Sequence, residues 1–172
     1  ISKRISNPNN YPEIRLDNLH VSSGWFDSSV SFGEPGFEER ETIINGLKVA
    51  ALSGFTSVGL NPNSNPVIDN SSTVRFVLEK ANKSAVQLLP IGALTNKAEG
   101  VDLAELYDMH MAGAVAFSDY QKPLENPNLL KIALQYVESF DGLVCSFPIE
   151  TRIAGSGVMN EHISSTRLGL KG

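Results

Sequence analysis

The chain has 172 residues and is 41% hydrophobic, enough apolar material for one sizeable core. Its formal net charge is −5 with a sequence pI near 5.2, and no basic stripe or Lys/Arg cluster stands out, which argues against nucleic acid as a partner. No apolar run approaches the roughly 20 residues of a membrane span, no signal peptide is read at the start, and the one cysteine, Cys145, cannot form an internal disulfide, which fits a reducing, cytoplasmic setting.

Residues 1–18, with Ile14 and Leu16 alternating, are expected to form part of an N-terminal β domain, and residues 19–172 a second domain in which strand and helix patterns alternate. Leu19 to Phe26 is the first strand pattern, followed by the Gly/Pro loop D-S-S-V-S-F-G-E-P-G, residues 27–36. Glu38 to Ser53 predicts a helix: Ile43, Leu47, Ala50 and Ala51 share a face, Glu38, Glu39 and Glu41 suit the first turn, and Gly54 suits the stop. FTSVGL is a β-rich run. Ser71 or Ser72 is the expected cap of a helix carrying Val74, Val77, Leu78 and Ala81 on one face. AVQLLPIGAL reads as a strand with its exit loop. Leu103, Leu106, Tyr107 and His110 form a stripe ended by Gly113, and AVAFS is the next strand. Leu130, Ala133, Leu134 and Val137 make a further stripe, Asp141-Gly142 turns the chain into the strand LVCSF, and a last helix is expected from about Asn160 to Leu168.

Five strands, each followed by a helix pattern, with nearly continuous apolar strand cores, predict an α/β chain around a parallel sheet buried on both faces. No G-x-G-x-x-G follows the first strand, which argues against a dinucleotide-binding sheet. The predicted architecture is a partial (β/α)8 TIM-type barrel of about five βα units, because a complete barrel needs ~200 residues or more. The chain starts at Ile1 rather than methionine and stops just after a helical pattern, so it reads as a C-terminally truncated piece of something longer. The open sheet edges are then expected to lie against the rest of the polypeptide or another copy. In such a barrel function gathers at the C-terminal ends of the strands. Here those ends are DSSVSFGEPG, NPNSNP, PIGALT, SDYQKP and SFPIE.

Several of these stretches carry a resemblance. GFTSVGLNPNSNPVID (54–69), ELYDMHMAGAVAFSDYQKP (105–123), LLPIGALT (88–95), FGEPGFEERETI (32–43) and GVMNEHISSTRLGL (157–170) resemble the dihydroorotase family in its long-chain bacterial form, in order from about residue 24 onward. The resemblance implies an amidohydrolase βα barrel with a small β domain built from both chain ends. In active members it implies zinc-dependent closing and opening of the dihydroorotate ring in pyrimidine synthesis. It also locates the family's site. The first strand of the family ends D-x-H-x-H-F-R-E-P-G, with two zinc-binding histidines and an arginine that grips the substrate carboxylate. In this chain Ser29 and Ser31 stand for the histidines and Gly33 for the arginine, while Asp27, Phe32, Glu34, Pro35 and Gly36 match. The family's F-S-D-D-G-K-P reads F-S-D-Y-Q-K-P, keeping Asp119 but placing Tyr120 at the expected ligand, and Phe147 stands where the S-H-C-E-D histidine would be. Asn63 matches the substrate-binding asparagine of P-N-T-N-P. The last metal histidine and the catalytic aspartate are expected beyond residue 172. Zinc takes imidazole, thiolate or carboxylate, so Ser29, Ser31, Tyr120 and Phe147 read as degenerate ligand positions and Gly33 as a degenerate substrate position. No catalytic residue, metal ligand or cofactor is assigned within this chain.

The remaining polar residues have plainer readings. Of the three histidines, His20 lies ahead of the first strand exit, His110 sits on an apolar helix stripe as a core or boundary residue, and His162 lies in the last helix. None is spaced for a metal. Asp119 and Lys122 read as loop structure ahead of an acid/base pair. Asn63 reads equally as a ligand contact or as turn chemistry. Cys145 is expected to be inert inside a buried strand, and the GSG at 155–157 is too short for a phosphate loop. The functional expectation is a dihydroorotase-like protein without its catalytic metal site, kept for a structural or regulatory purpose. Such homologues in the family assemble with aspartate carbamoyltransferase, and self-association is the other expected partnership. One alternative is an active dihydroorotase or related cyclic amidohydrolase completed by the C-terminal part. The other is a metal-free small-molecule binding module.

Overall fold

The computed structural model describes residues 6–171. Four parallel strands form a curled sheet in the order β1-β2-β3-β4: β1 (Trp25–Val30), β2 (Phe55–Leu60), β3 (Gln87–Gly92) and β4 (Ala116–Phe117). Each is followed by a helix, giving α1 (Ile43–Leu52), α2 (Ser71–Lys80), α3 (Leu106–Ala112) and α4 (Pro127–Glu138), with the short α5 (Thr151–Ala154) and α6 (Ile163–Leu168) after them. This is part of a (β/α) barrel, laid down strand by strand in chain order.

The core lies between sheet and helices. Ile43 and Leu47 of α1, Val58 and Leu60 of β2, Val74 and Val77 of α2, Leu106 and Met109 of α3, and Phe117 of β4 are buried together. Ala133 and Val137 bring α4 onto the same core. The helical residues recur three or four apart, so one face of each helix meets the sheet. The strand β2 falls on the FTSVGL expected from the sequence.

Several boundaries differ from expectation, each for a local reason. The first strand runs Trp25–Val30 rather than Leu19–Phe26, so Asp27 to Val30 belong to the strand and not to its exit loop. Pairing with β2 holds these residues: Trp25 aligns with Phe55 and Val30 with Leu60. The first helix begins at Ile43, not Glu38, because Thr42 caps it through a 3.3 Å bond from the Asn45 N–H, and the chain from 37 to 40 turns instead. The cap of α2 is Asn70, whose Oδ1 accepts from the Ser72 and Thr73 N–H groups, both at 3.1 Å, and Ser71 opens the helix. The buried stripe of α4 is Leu129, Ala133 and Val137, with Leu134 turned outward.

LVCSF does not form a fifth strand of the expected length. A single parallel bridge joins Phe117 to Val144, and Cys145 is exposed rather than buried. The last helix starts at Ile163, and His162 caps it: its Nδ1 accepts from the Ser164 N–H at 3.2 Å. Residues 1–5 lie outside the described residues, and 6–24 form no strand, with Ile14 and Leu16 exposed.

Candidate functional site

The strand ends β1, β2, β3 and β4 point their exit loops to one side of the sheet. On β1, three residues from Asp27 to Val30 span the two-residue step from Val58 to Leu60 on β2. The extra residue is a bulge at Ser28–Ser29, a device that re-aims side chains at strand rims. The Ser29 N–H is held by Asp27 Oδ1 at 3.0 Å. The backbone of Asn61, the first residue past β2, donates to the Val30 carbonyl at 2.9 Å. That bond places a buried amide side chain under the serines. Asn61 Nδ2 donates to Ser29 Oγ at 3.1 Å and lies 3.4 Å from Ser31 Oγ, and Ser31 Oγ donates to Asn63 Oδ1 at 3.1 Å.

Ser29, Asn61, Ser31 and Asn63 thus form one hydrogen-bonded cluster of neutral groups. Three of its four members, Ser29, Ser31 and Asn63, are legible in the sequence; Asn61 is not. Its only signal is an amide placed directly after an apolar strand, where an unpaired polar group would be costly to bury.

Gly33 is closed to any side chain. A Cβ built there would lie 1.8 Å from the Phe37 carbonyl oxygen and 3.2 Å from the Arg40 Cβ. The cause is a tight turn: the Gly33 N–H donates to the Glu41 carbonyl at 2.8 Å and the Phe37 N–H donates to the Gly33 carbonyl at 2.9 Å. Beside it Glu34 is buried. Its Oε2 accepts from the Ile43 N–H at 2.9 Å, at the first turn of α1, and its Oε1 pairs with Lys80 Nζ at 2.7 Å. A carboxylate at a helix N-terminus satisfies an orphan donor and faces the positive end of the helix. The Glu34 carboxylate, mostly through hydrogen bonding, pushes the Lys80 ammonium above the ordinary lysine range. Gly36, at φ +93°, lets this loop approach the β2 loop, where Asn65 donates its N–H to the Pro35 carbonyl at 2.9 Å. A side chain at 36 would meet the Asn65 carbonyl.

The β4 exit carries Asp119 and Tyr120. Both Asp119 carboxylate oxygens are occupied by Thr95: Oδ1 by the Thr95 N–H at 2.9 Å and Oδ2 by its hydroxyl at 2.5 Å. Lys122 Nζ donates to the Ala98 carbonyl at 2.9 Å. Asp119 and Lys122 therefore tie the β3 and β4 loops together and are not paired with each other. Tyr120 has a left-handed backbone, φ +59°, braced by its N–H on Ser118 Oγ at 3.1 Å. With Asn63, Asp119 and Lys122 it lines a cavity of about 330 Å³. Phe147 is half-buried beyond the Phe117–Val144 bridge and brings no donor atom. His20 is exposed, and His110 packs its ring 4.9 Å from that of Phe140.

These residues do not fit zinc. The positions that the resemblance assigns to ligands hold two hydroxyls already bonded to amides, a phenol and a phenyl ring. Of the nearby carboxylates, Asp119 is engaged by Thr95 and Asp27 Oδ1 by the Ser29 N–H. Among the described residues no group of three or more His, Cys, Asp or Glu side chains is arranged to hold a metal ion. Tetrahedral zinc needs thiolate, imidazole or carboxylate donors. Among the described residues the arrangement offers hydrogen-bonding groups, Ser29, Asn61, Ser31 and Asn63, at the strand ends.

The sequence profile of the dihydro-orotase-like family matches residues 20–172. The chain is 46% identical over 152 residues to the dihydroorotase of Pelotomaculum thermopropionicum, covering 88% of this chain and 36% of that protein. It is 42% identical over 152 residues to the dihydroorotase of Desulfotalea psychrophila, with the same coverage. With the dihydroorotase of Citrifermentans bemidjiense the identity is 39% over a 173-residue alignment covering 100% of this chain and 41% of the relative. The chain thus spans about two fifths of the length of the curated relatives it matches.

Proposed function

This chain belongs to the dihydroorotase-like family, and on that premise we propose that it is a non-catalytic dihydroorotase-like component of pyrimidine biosynthesis, cytoplasmic, kept for a structural or regulatory role. The observation that carries the reading is the neutral cluster of Ser29, Asn61, Ser31 and Asn63 at the β1 and β2 strand ends. Metal-assisted hydrolysis needs a bound water whose pKa is brought to about 7. Hydroxyls already bonded to amides do not supply the ligands for it. The closed turn at Gly33 supports the same reading, since the position the resemblance gives to the carboxylate clamp has no room for a side chain. Ser29, Ser31, Tyr120 and Phe147 are then degenerate ligand positions, and Gly33 a degenerate substrate position.

The proposed partner is aspartate carbamoyltransferase, with self-association as the other form of assembly. The test is co-expression and gentle co-purification. A stoichiometric complex, or a carbamoyltransferase whose rate or stability changes when the chain is added, is the expected result. The carbamoyltransferase eluting alone and unaffected would remove the partner role. A second reading, a metal-free binding module, is favoured by the cavity of about 330 Å³ beside Asn63 and Tyr120. Its volume falls in the range of small-molecule sites. Thermal stabilisation by a metabolite, lost in Asn63→Ala, would support it.

A further inference from the structure

The outer helix α1 has the sequence IINGLKVAAL, in which Lys48 is the one charged residue. Its inward face is accounted for by Ile43 and Leu47, both buried. Its outward face mixes polar and apolar groups: Asn45 and Lys48 are exposed beside Ile44, which is 64% exposed, and Ala51. A surface helix ordinarily turns polar residues outward, so the exposed Ile44 and Ala51 make an apolar patch within a partly polar face. Beside this face the chain leaves α2 at Lys80 and reverses through Lys83, at φ +72°, before entering β3. The reversal opens a groove of about 360 Å³ between α1 and the end of α2. Its floor includes Ile44, Leu47 and Ala51, and its rim carries Lys48, Lys80 and Lys83.

The charges decide what fits. The chain is acidic overall, at −5, yet three ammonium groups and no carboxylate line this groove. Lys80 is engaged by Glu34. Among the described residues neither Lys48 nor Lys83 lies within ion-pair distance of a carboxylate. The lining of the groove shares no residue with the cavity beside Asn63.

We propose that the groove between α1 and α2 is a binding site for a small amphiphilic anion, a carboxylate or phosphate monoester on an apolar body. The apolar body lies along Ile44 and Ala51 and the anionic head sits between Lys48 and Lys83. The inference does not depend on the chain being non-catalytic. A cavity of this size accommodates a drug-sized or smaller ligand, and burial of its apolar part supplies the driving force while the ammonium groups select the head.

The test is titration of the protein, followed by methyl NMR, with octanoate and octyl phosphate, and with octanol and inorganic phosphate as the two half-ligands. Saturable shifts centred on the Ile44, Leu47 and Ala51 methyls are expected with both amphiphilic anions, and binding at least about tenfold weaker with octanol or phosphate alone. Whichever of the two anions binds tighter identifies the head group. The double reversal Lys48→Glu, Lys83→Glu changes two exposed side chains. It is expected to leave the denaturation midpoint in place and weaken octanoate about tenfold or more, each screened contact contributing a small factor. Raising salt is expected to weaken the anions and leave octanol unchanged. Octanol binding as well as octanoate, a double variant within twofold of the parent, or shifts scattered away from the groove would each overturn the proposal.

Discussion

Replacing Gly33 by alanine is expected to destabilise the chain by about 2–4 kcal/mol. The magnitude follows from the turn around it. A Cβ at 33 would stand 1.8 Å from the Phe37 carbonyl oxygen and 2.7 Å from its carbon, so the loop must move by more than an ångström. That movement breaks or stretches the bonds from the Gly33 N–H to Glu41 and from the Phe37 N–H to Gly33, now 2.8 and 2.9 Å, at about 0.5–1.5 kcal/mol each. Crowding adds about 1–3 kcal/mol, partly relieved as the loop yields. The backbone at 33 is not left-handed, so the cost is steric and not one of strained φ. Urea denaturation of parent and variant measures it, read at constant m. Gly33→Arg is expected to be destabilised at least as much and to gain no affinity for a carboxylate. An alanine variant within about 0.5 kcal/mol of the parent, or an arginine variant that folds normally and grips a carboxylate, would refute the closed-turn argument.

Three further outcomes are expected. Glu34→Ala should cost about 2–3 kcal/mol, because it orphans the Ile43 N–H at the head of α1 and removes a charge-assisted bond; Glu34→Gln, which keeps an acceptor there, should cost about half as much by the same denaturation assay. The Lys80 ammonium is raised above its ordinary range by Glu34, so the pair's contribution is fully present below the usual lysine value and is lost as the pH rises through the raised one. Stability scans at alkaline pH should show that loss in the parent and not in Lys80→Met. Asn61→Ala should cost about 1–2 kcal/mol by removing the buried amide that ties Ser29 to Ser31; a neutral effect would mean the cluster is not holding the two loops.

The sequence carried the alternation of strand and helix, because periodicity reports which side of an element faces a core. Val74, Val77, Leu106 and Ala133 were all found buried where the pattern put them. Ends of elements were less legible because several residues compete to cap. Asn70, Ser71 and Ser72 are nearly equivalent as N-caps, and only tertiary placement selects Asn70. The glutamates at 38, 39 and 41 resemble a first turn, but Thr42 and the distant Glu34 fix the start of α1 at Ile43. LVCSF is as apolar as a strand, yet at the open side of the sheet it keeps one bridge. At the site, the residue replacements were legible as departures from a family motif. Asn61 was not, since its partners lie 32 and 30 positions away and meet it only through the bulged register of β1.

The proposed loss of zinc-dependent ring hydrolysis in this member of the dihydroorotase-like family is open to direct test. The most direct measurement is the metal content of the whole protein, made together with dihydroorotate turnover after zinc loading and removal of excess. Well under one zinc per chain and no turnover above the uncatalysed rate are expected. One or two zinc ions per chain, with turnover that falls on chelation and returns on reloading, would contradict it.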